Sequence, residues 1–132
     1  MTYTSNPKLK SGTAKLDYSV VPDTAEVEWV KCHAHGDAKY GYHNWRETGV
    51  DVRTYYSALR RHLAAFLSGE KIDRDSGAHQ LGHVMACAAI MLDADVKGVL
   101  INNWNDSALK EIPDGGKSSN TEYKQSITRG SL

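Results

Sequence analysis

The stretch that decides the fold runs from Tyr55 to Asp95 and reads YYSALRRHLAAFLSGEKIDRDSGAHQLGHVMACAAIMLDAD. It holds two segments in which large apolar residues recur at intervals of three and four positions, joined by a short acidic turn that contains glycine. Such spacing is typical of helices that bury one face. The residues concerned are Leu59, Leu63, Phe66 and Leu67 in the first segment and Leu81, Val84, Met85, Ala88 and Leu92 in the second.

The flanking residues set the boundaries of these two helices. The first is predicted over 55–68 and ends near Gly69, because glycine readily takes the left-handed conformation that closes a helix. The second is predicted over 78–92, with Asp75 or Ser76 as its N-cap. A short connection favours an antiparallel pair, so polar residues at the end of the first helix face those at the start of the second.

Six potential metal ligands should then fall into one neighbourhood. We expect a divalent-metal site there, because imidazoles and carboxylates are common metal ligands and carboxylates suit hard cations such as Mg²⁺ and Mn²⁺. Mixed imidazole and carboxylate ligands favour Mn²⁺ over Mg²⁺. The six residues are His62, Glu70, Asp73, Asp75, His79 and His83.

His79 and His83 are four residues apart, so they project from the same face of a helix. An HxxxH pair can chelate a metal, but it lacks the glutamate that serves as the general base in HExxH. The structural alternative is that both histidines hydrogen-bond to neighbouring helices. The carboxylates have equally simple alternatives, with Asp75 as a helix cap, Glu70 as the end of the first helix and Asp73 as part of the turn.

Upstream, a further helix is predicted from Ala25 to about His35. Asp23 or Thr24 would cap it, and Gly36 would end it. Its apolar residues include Trp29, which we expect to pack in the core rather than to contact a ligand.

The next eleven residues, 36–46, contain two glycines, two basic residues and three aromatics. This composition suits a loop that holds a phosphorylated ligand with a stackable ring. An aromatic-rich loop packed on the helices is the structural alternative. Asp51 or Thr54 would then start the first helix of the central pair.

The chain of 132 residues is long enough for one domain with its own core. No signal peptide or transmembrane segment is visible, so we expect a soluble cytoplasmic protein that does not bind membranes. Equal numbers of basic and acidic residues argue against stable nucleic-acid binding. Cys32 and Cys87 are far apart and belong to no CxxC pair, so neither a disulfide nor a zinc knuckle is expected.

The helical pattern decays after Asp95. Residues 98–101 are briefly apolar, 106–112 could form one or two helical turns, and 117–132 contain few large apolar residues. We therefore expect a core over 1–95 and an extension of the same domain over 96–132. The C-terminal tail is predicted to be mobile or to lie over a neighbouring subunit.

Several short motifs of the chain resemble the phage dATP/dGTP diphosphohydrolase family, the MazZ type of MazG-like proteins. The resemblance covers roughly residues 11–93. It rests on Lys39-Tyr40-Gly41, Asn44-Trp45-Arg46, Arg61-His62-Leu63, Gly69-Glu70, Asp73, Ser76-Gly77, His79 and His83, together with the segment Ser11-Gly12 and Lys15 to Pro22.

This resemblance implies an all-α nucleotide pyrophosphatase fold, a MazG-like helical bundle completed by assembly into a homodimer or homotetramer. It also implies hydrolysis of purine deoxynucleoside triphosphates, dGTP and dATP, to the monophosphate and pyrophosphate. The cofactor would be Mg²⁺ or Mn²⁺, with two or three ions. A phage that remodels the nucleotide pool of its host would be a natural setting, and the host cytoplasm the location.

The resemblance also assigns roles to residues of this chain. Glu70, Asp73 and His62 would be catalytic, with His62 or a carboxylate taking a proton from water. The metal would be held by Glu70, Asp73, Asp75, His79 and His83. The substrate would be bound by Lys39, Tyr40, Asn44, Trp45, Arg46 and Arg61, the cations neutralising phosphate charge and the aromatic rings stacking on the base or packing under the sugar.

The chain departs from the broader MazG-like pattern at one point. Those enzymes carry ExxE on one helix and ExxD on the next, whereas the only ExxD here is Glu70 to Asp73 at the turn and no ExxE precedes it on that helix. Histidines take positions where carboxylates are expected.

Two other functions are compatible with the same residues. One is a different nucleotide phosphohydrolase, for example one that releases the whole triphosphate. The other is a helical nucleotide-binding module without catalysis, in which the histidines and carboxylates only bond to one another. The roles of Arg60, Arg61 and Lys71 also stay open between binding phosphate oxygens and neutralising the acidic turn.

Overall fold

The computed structural model describes residues 6–12 and 14–104, which belong to two compact units. The first unit, described over 6–12 and 14–21, holds a short helix α1 (Pro7–Gly12) and a 3₁₀ turn (Tyr18–Val20). Asp17 caps that turn, because its side chain accepts a hydrogen bond from the backbone N–H of Ser19 at 3.0 Å.

The second unit, described over 22–104, is mostly helical, so the all-α prediction is confirmed. The two strands are only two residues long and pair in parallel, with Val50 opposite Leu100 and Asp51 opposite Ile101. The elements in chain order are α2 (Asp23–Tyr40), α3 (Trp45–Thr48), β1 (Val50–Asp51), α4 (Val52–Leu67), α5 (Gln80–Lys97) and β2 (Leu100–Ile101).

Helix α2 is longer than the sequence predicted. It starts after Pro22, continues through Gly36, and ends at Tyr40. Gly41 has φ 97° and donates its N–H to the carbonyl of Asp37 at 2.9 Å. The prediction that Gly36 ends this helix was wrong, because one glycine costs a helix only about 1 kcal/mol relative to alanine and packing offsets that amount.

The central helices form the antiparallel pair that the sequence predicted. Phe66, near the end of α4, lies 5.4 Å from the ring of His79 at the start of α5. Tyr55, near the start of α4, packs against the same buried cluster as Ile90 and Met91 towards the end of α5. The helices therefore run in opposite directions, and the residues between them form a turn over 68–79.

The caps of these helices agree with the prediction in one case and differ in the other. Asp51 caps α4, accepting from the N–H of Thr54 at 3.0 Å, as predicted. Helix α5 begins two residues later than expected, and its N-cap is His79 rather than Asp75 or Ser76. It runs to Lys97, five residues beyond the predicted end, and Gly98 closes it with φ 78°.

Helices α2 and α5 approach each other most closely at Gly82. A Cβ atom on Gly82 would lie 2.7 Å from the backbone oxygen of Glu28 and 3.1 Å from the sulfur of Cys32. Trp29 packs against the small core formed here by Cys32, Ala78 and Ala86, as predicted. Close contact of the two helix backbones therefore depends on small side chains.

A second core lies where α3 and the strands meet the end of α5. It consists of Trp45, Val50 and Ala94, with partly buried apolar residues around it. Among the described residues both cysteines are free thiols. Within the same ranges, none of the helices combines the length and apolar character needed to cross a membrane.

Candidate active site

A cavity of about 280 Å³ lies between α2, α4, α5 and the turn over 68–79. Two sets of side chains line it. The charged group consists of His35, Lys39, His62, Asp73, Asp75 and His83. The second set, called the aromatic group, consists of the rings of His33, Tyr40, Trp45 and Tyr55 together with Asn44 and Ile90.

Three residues of the charged group form a compact cluster. His62 comes from α4, Asp73 from the turn and His83 from α5, and one potential ligand atom from each lies within 4.8 Å of the others. The rings of the two histidines are stacked, 4.3 Å apart and 9° from parallel. The structure thus brings together three of the six residues that the sequence placed in one metal site.

Ser76 hydrogen-bonds to both Asp73 and His83, and its hydroxyl determines which ring nitrogen of His83 donates. Asp73 accepts hydrogen bonds from the backbone N–H and the hydroxyl of Ser76, both at 2.9 Å. Burial acts to raise the pKa of Asp73, but these hydrogen bonds outweigh it and hold the pKa below its usual value. Because the hydroxyl proton goes to the ionised carboxylate, the serine oxygen accepts from Nε2–H of His83 at 2.6 Å.

The neutral form of His83 therefore has its lone pair on Nδ1. Burial lowers the pKa of His83, and the nearby His62 ring lowers it further. The tautomer of His62 follows from its partner in the same way. Its Nδ1 lies 2.7 Å from the amide oxygen of Gln80, a residue only 2% exposed, so Nδ1 is the nitrogen that donates a hydrogen bond to this oxygen.

The cluster has the chemistry of a divalent-metal site. Imidazole and ionised carboxylate side chains are ligands that Mn²⁺ and similar ions accept, whereas Mg²⁺ prefers oxygen ligands. The partners of each ligand, Ser76 and Gln80, orient the side chains as the outer shell of a metal site does. The residues present therefore fit an ion that retains open positions for substrate or water.

Asp75 lies beside this cluster in a separate set of contacts. Its carboxylate accepts from Lys39 at 2.8 Å and contacts Nε2 of His35 at 3.1 Å. Lys39 first, and then His35, lower the pKa of Asp75. The ring of His35 lies edge-on to that of His83, with 6.5 Å between ring centroids, so the two sets adjoin.

His35 is a cavity residue that the sequence analysis did not select. The sequence predicts that His35 is about the last residue of its helix. His35 and Lys39 are four residues apart, and this spacing places them on one face only if α2 continues beyond Gly36. The signal was present in the sequence, but the wrong helix end concealed it.

Four of the predicted site residues, Glu70, Arg61, His79 and Arg46, lie outside the cavity lining. Glu70 is exposed in the turn after α4, and Arg61 is exposed on α4. His79 caps α5 by accepting the N–H of Leu81 on Nδ1 at 3.0 Å, with its ring against Phe66. Their roles as catalytic, substrate-binding or metal-binding residues stay predictions.

The predicted substrate-binding residues are divided between two places. Lys39, Tyr40, Asn44 and Trp45 line the cavity. Arg46 instead donates two hydrogen bonds to Asp93, at 2.9 and 2.8 Å. Its contact with phosphate stays a prediction.

Both cysteines of the chain line the cavity without being reactive. Burial raises the pKa of Cys32 to about 12 and raises that of Cys87 as well. Both thiols are therefore protonated at neutral pH, and thiolate nucleophiles are excluded from the chemistry of the cavity.

Comparison with known proteins shows the class to which this helical chain and its cavity belong. Residues 5–104 match the family model described as dATP/dGTP diphosphohydrolase, N-terminal. The match covers most of the chain, so the chain belongs to this family, and the resemblance found in its sequence motifs is confirmed. No curated protein and no solved structure matches the chain.

Proposed function

We propose that the chain hydrolyses the purine deoxynucleoside triphosphates dGTP and dATP to the monophosphate and pyrophosphate, with a divalent metal ion. The observation that carries this proposal is the cluster of His62, Asp73 and His83 in a cavity that also has an aromatic wall. A triphosphate needs cations and metal ligands, and a purine needs a flat apolar surface. The charged group supplies the cation and the candidate metal ligands, and the aromatic group supplies the flat apolar surface.

Asp73 and His83 would hold the metal ion, which is Mn²⁺ or Mg²⁺. Bound there, it would polarise the phosphate oxygens and make water more acidic. Glu70, Asp75 and His79 are further ligands in this proposal, and they would allow a second or third ion.

His62 would act as the proton acceptor. The amide of Gln80 occupies its Nδ1, so the lone pair is on Nε2 within the cluster. The oxygen of a water molecule attacks the α-phosphorus, its proton passes to Nε2 of His62, and the bond between the α-phosphorus and the bridging oxygen breaks. Pyrophosphate leaves with the electron pair of that bond.

Lys39 would neutralise charge on the phosphates. In the structure its ammonium group is paired with the exposed carboxylate of Asp75. Exposed ion pairs contribute only about 0–1 kcal/mol, so a triphosphate can replace the carboxylate at little cost. Arg46 would add a second cation, and Arg61 a third, if they turn towards the substrate.

The test is a product assay. We would incubate the purified protein with each of the four dNTPs and with GTP, in Mg²⁺, in Mn²⁺ and with a chelator, and separate the products by chromatography. Metal-dependent formation of dGMP or dAMP with pyrophosphate is the expected result. Inorganic triphosphate as product would identify the other class of phosphohydrolase, and intact nucleotides in every condition would favour a binding module.

The family resemblance also suggests the setting for this activity. We place it in the purine nucleotide pool of a phage-infected cell, in the host cytoplasm. An enzyme that removes dGTP or dATP there would alter the composition of newly made DNA.

A further inference from the structure

His33 in the aromatic group has one defined tautomer. Its Nε2 lies 2.7 Å from the indole nitrogen of Trp29, and an indole N–H can only donate. Nε2 of His33 is therefore the acceptor and carries no proton. Burial lowers the pKa of His33, so the ring is neutral at neutral pH and its proton is on Nδ1. The cavity thus contains an imidazole whose single polar hydrogen is fixed by a residue outside the cavity lining.

Asp37 lies one helical turn after His33 on α2, and both residues line the cavity. Residues four apart share one face of a helix, so a donor and a carboxylate adjoin on this wall. Asp37 is partly buried, and within the described ranges 6–12 and 14–104 its side chain makes no hydrogen bond; its charge acts on the neighbouring His33, whose pKa it raises against the larger effect of burial. A partly buried carboxylate that makes no hydrogen bond is favoured when a ligand brings donors to it.

Trp45 provides a flat surface close to His33. It is 8% exposed, lines the cavity, and lies 6.1 Å from the ring of His33. Its indole nitrogen donates to Asp93 at 2.7 Å, which fixes the ring in place. A nucleobase stacked on or beside this ring would place its polar edge within the same part of the cavity as His33 and Asp37.

We propose that His33 and Asp37 recognise guanine, so that dGTP is the preferred substrate. Nδ1–H of His33 would donate to O6 of guanine, and the carboxylate of Asp37 would accept from N1–H and the 2-amino group. Adenine carries an amino group in place of O6 and a lone pair on N1. Its amino group would therefore face the Nδ1–H donor of His33, and its N1 lone pair would face the carboxylate of Asp37. Trp29 acts as a positioning residue, because it determines which nitrogen of His33 holds the proton. This inference rests on the proposed function for its substrate class.

The first test measures binding without catalysis. Titration calorimetry of the metal-free protein with dGMP, dAMP and dIMP should give the tightest binding for dGMP, at least about tenfold tighter than dAMP. dIMP lacks the 2-amino group and should lie between them. Equal affinities for dGMP and dAMP, or no binding of dGMP at millimolar concentration, would overturn the proposal.

Asp37→Asn is the matching variant, with Glu26→Gln as its control. Glu26 is an exposed carboxylate on the same helix and lies outside the cavity lining. Asp37→Asn should remove most of the preference for dGMP over dAMP, because the amide can accept from only one of the two donors and brings a donor of its own. Glu26→Gln should retain the preference. A preference that survives in Asp37→Asn would exclude this residue from base recognition.

Trp29→Phe tests the positioning role, with Trp104→Phe as its control. Trp104 packs edge-on to Tyr56, 4.5 Å between ring centroids, and lies outside the cavity lining. ¹⁵N NMR of the intact protein should show His33 with a proton on Nδ1, and Trp29→Phe should shift the ring towards a mixture of tautomers while the ratio of kcat/KM for dGTP and dATP falls. A proton on Nε2 of His33 in the unmodified protein would contradict the inference.

A pair of His33 variants serves if Trp29→Phe does not fold. His33→Gln retains an N–H donor and should keep part of the guanine preference, whereas His33→Leu should lose it.

If no dNTP is hydrolysed with any metal but dGMP binding is selective and depends on Asp37, the proposed reaction fails and base recognition stands. If dGTP and dATP are hydrolysed equally and Asp37→Asn changes neither, base recognition fails and the reaction stands.

Discussion

Asp73 is the carboxylate on which most of the candidate site depends. It accepts two hydrogen bonds from Ser76, which in turn orients His83. Replacing Asp73 with asparagine keeps the shape and the ability to accept these hydrogen bonds but removes the charge. This substitution therefore separates the contribution of the negative charge from that of the hydrogen bonds within the turn.

We expect Asp73→Asn to lower kcat by more than about 100-fold, since a metal ligand contributes more than the outer-shell residues, whose loss costs 10- to 100-fold. The measurement is the rate of dGMP formation at saturating Mn²⁺, with circular dichroism as the check on folding. Glu47→Gln, which changes an exposed carboxylate on α3, is the control and should leave the rate unchanged. Activity within a few-fold of the unmodified protein would remove Asp73 from the site.

Glu70→Gln separates the family-based role of Glu70 from its position in the structure. Because Glu70 is exposed and its side chain makes no contact with the cluster, the substitution should leave stability unchanged. The family motif leads us to expect loss of turnover. Substantial activity with normal metal binding would show that Glu70 is a turn residue only.

Asp93 fixes Trp45 and Arg46 together, and it provides a stability prediction that depends on pH. Hydrogen bonds from Arg46 and Trp45 lower the pKa of Asp93 from 3.8 to about 2. A lowered folded-state pKa gives stability that is present above the unfolded pKa of about 4 and is lost as the pH falls towards 2. Arg46 is partly exposed, so solvent screening reduces the effect.

Asp93→Asn should therefore lower the free energy of unfolding by about 1–2 kcal/mol at pH 7. The difference from the unmodified protein should disappear near pH 2. Urea unfolding at pH 7, 4 and 2.5 measures this. A difference that stays constant over this range would mean that Asp93 acts through packing and not through its charge.

At the scale of single residues, the sequence predicted the ligands better than their supports. His62, Asp73 and His83 were selected because an antiparallel helix pair with a short turn places their imidazole and carboxylate groups in one neighbourhood, and the structure brings them together. Gln80 and Asp93 were not selected, because a glutamine or an aspartate has no distinctive spacing. Their roles depend on residues 18 and 47 or 48 positions away.

At the scale of elements, two helical glycines have opposite roles. Gly82 in α5 contacts the backbone of α2, where an added Cβ would lie 2.7 Å from the oxygen of Glu28. Gly36 in α2 has no atom within 4 Å of the corresponding position. The same substitution should consequently have opposite effects at the two sites.

We expect Gly82→Ala to destabilise the protein by about 1–3 kcal/mol, because the two helices must move apart. Gly36→Ala should stabilise it by about 0.5–1 kcal/mol through helix propensity and reduced freedom of the unfolded chain. Thermal and urea unfolding of both variants provides the test. Equal effects in the two variants would contradict the close approach of α2 and α5.

Helix ends were the least predictable feature of the elements. The apolar spacing located α4 and α5 correctly, and Asp51 was identified as a cap. The sequence predicted that Gly36 ends α2. Glycine ends a helix only where the chain also turns, as at Gly41 and Gly98. The start of α5 was misplaced because Asp75 and Ser76 are good caps by composition, but both make contacts within the turn and the cavity instead.

At the scale of the whole molecule, several large apolar side chains on the helices are more than half exposed. Val27 is 53% exposed, Val30 57%, Leu67 76% and Leu92 52%. Apolar surface of this kind is usually covered when a protein assembles. It supports the family-based expectation of a homodimer or homotetramer.

Light scattering coupled to size-exclusion chromatography should therefore give a mass of at least twice the 14.6 kDa of one chain. The exposed apolar residues would be removed from water in that assembly, so dilution should lower the apparent stability. A mass of 14.6 kDa at all concentrations would show that the helical bundle is stable as a single chain.

The central helices were predictable because their apolar spacing is repeated over many residues, and the all-α class was expected from the family resemblance. The pairing of β1 with β2 was not predictable, since two residues carry no periodic signal. The predicted helical turns at 106–112 and the predicted tail over 117–132 lie outside the described residues. The proposed division into a core over 1–95 and an extension over 96–132 stays a prediction.

The pairing of β1 with β2 closes the chain between Val50 and Leu100 into a ring through hydrogen bonds. Inside this ring lie α4, the turn over 68–79 and α5. A protease cut in that turn would therefore leave two fragments that remain joined at both the helix interface and the strand pair. The molecule could consequently be split at the turn and reassembled from separately produced halves, which would allow each side of the cavity to be isotopically labelled on its own.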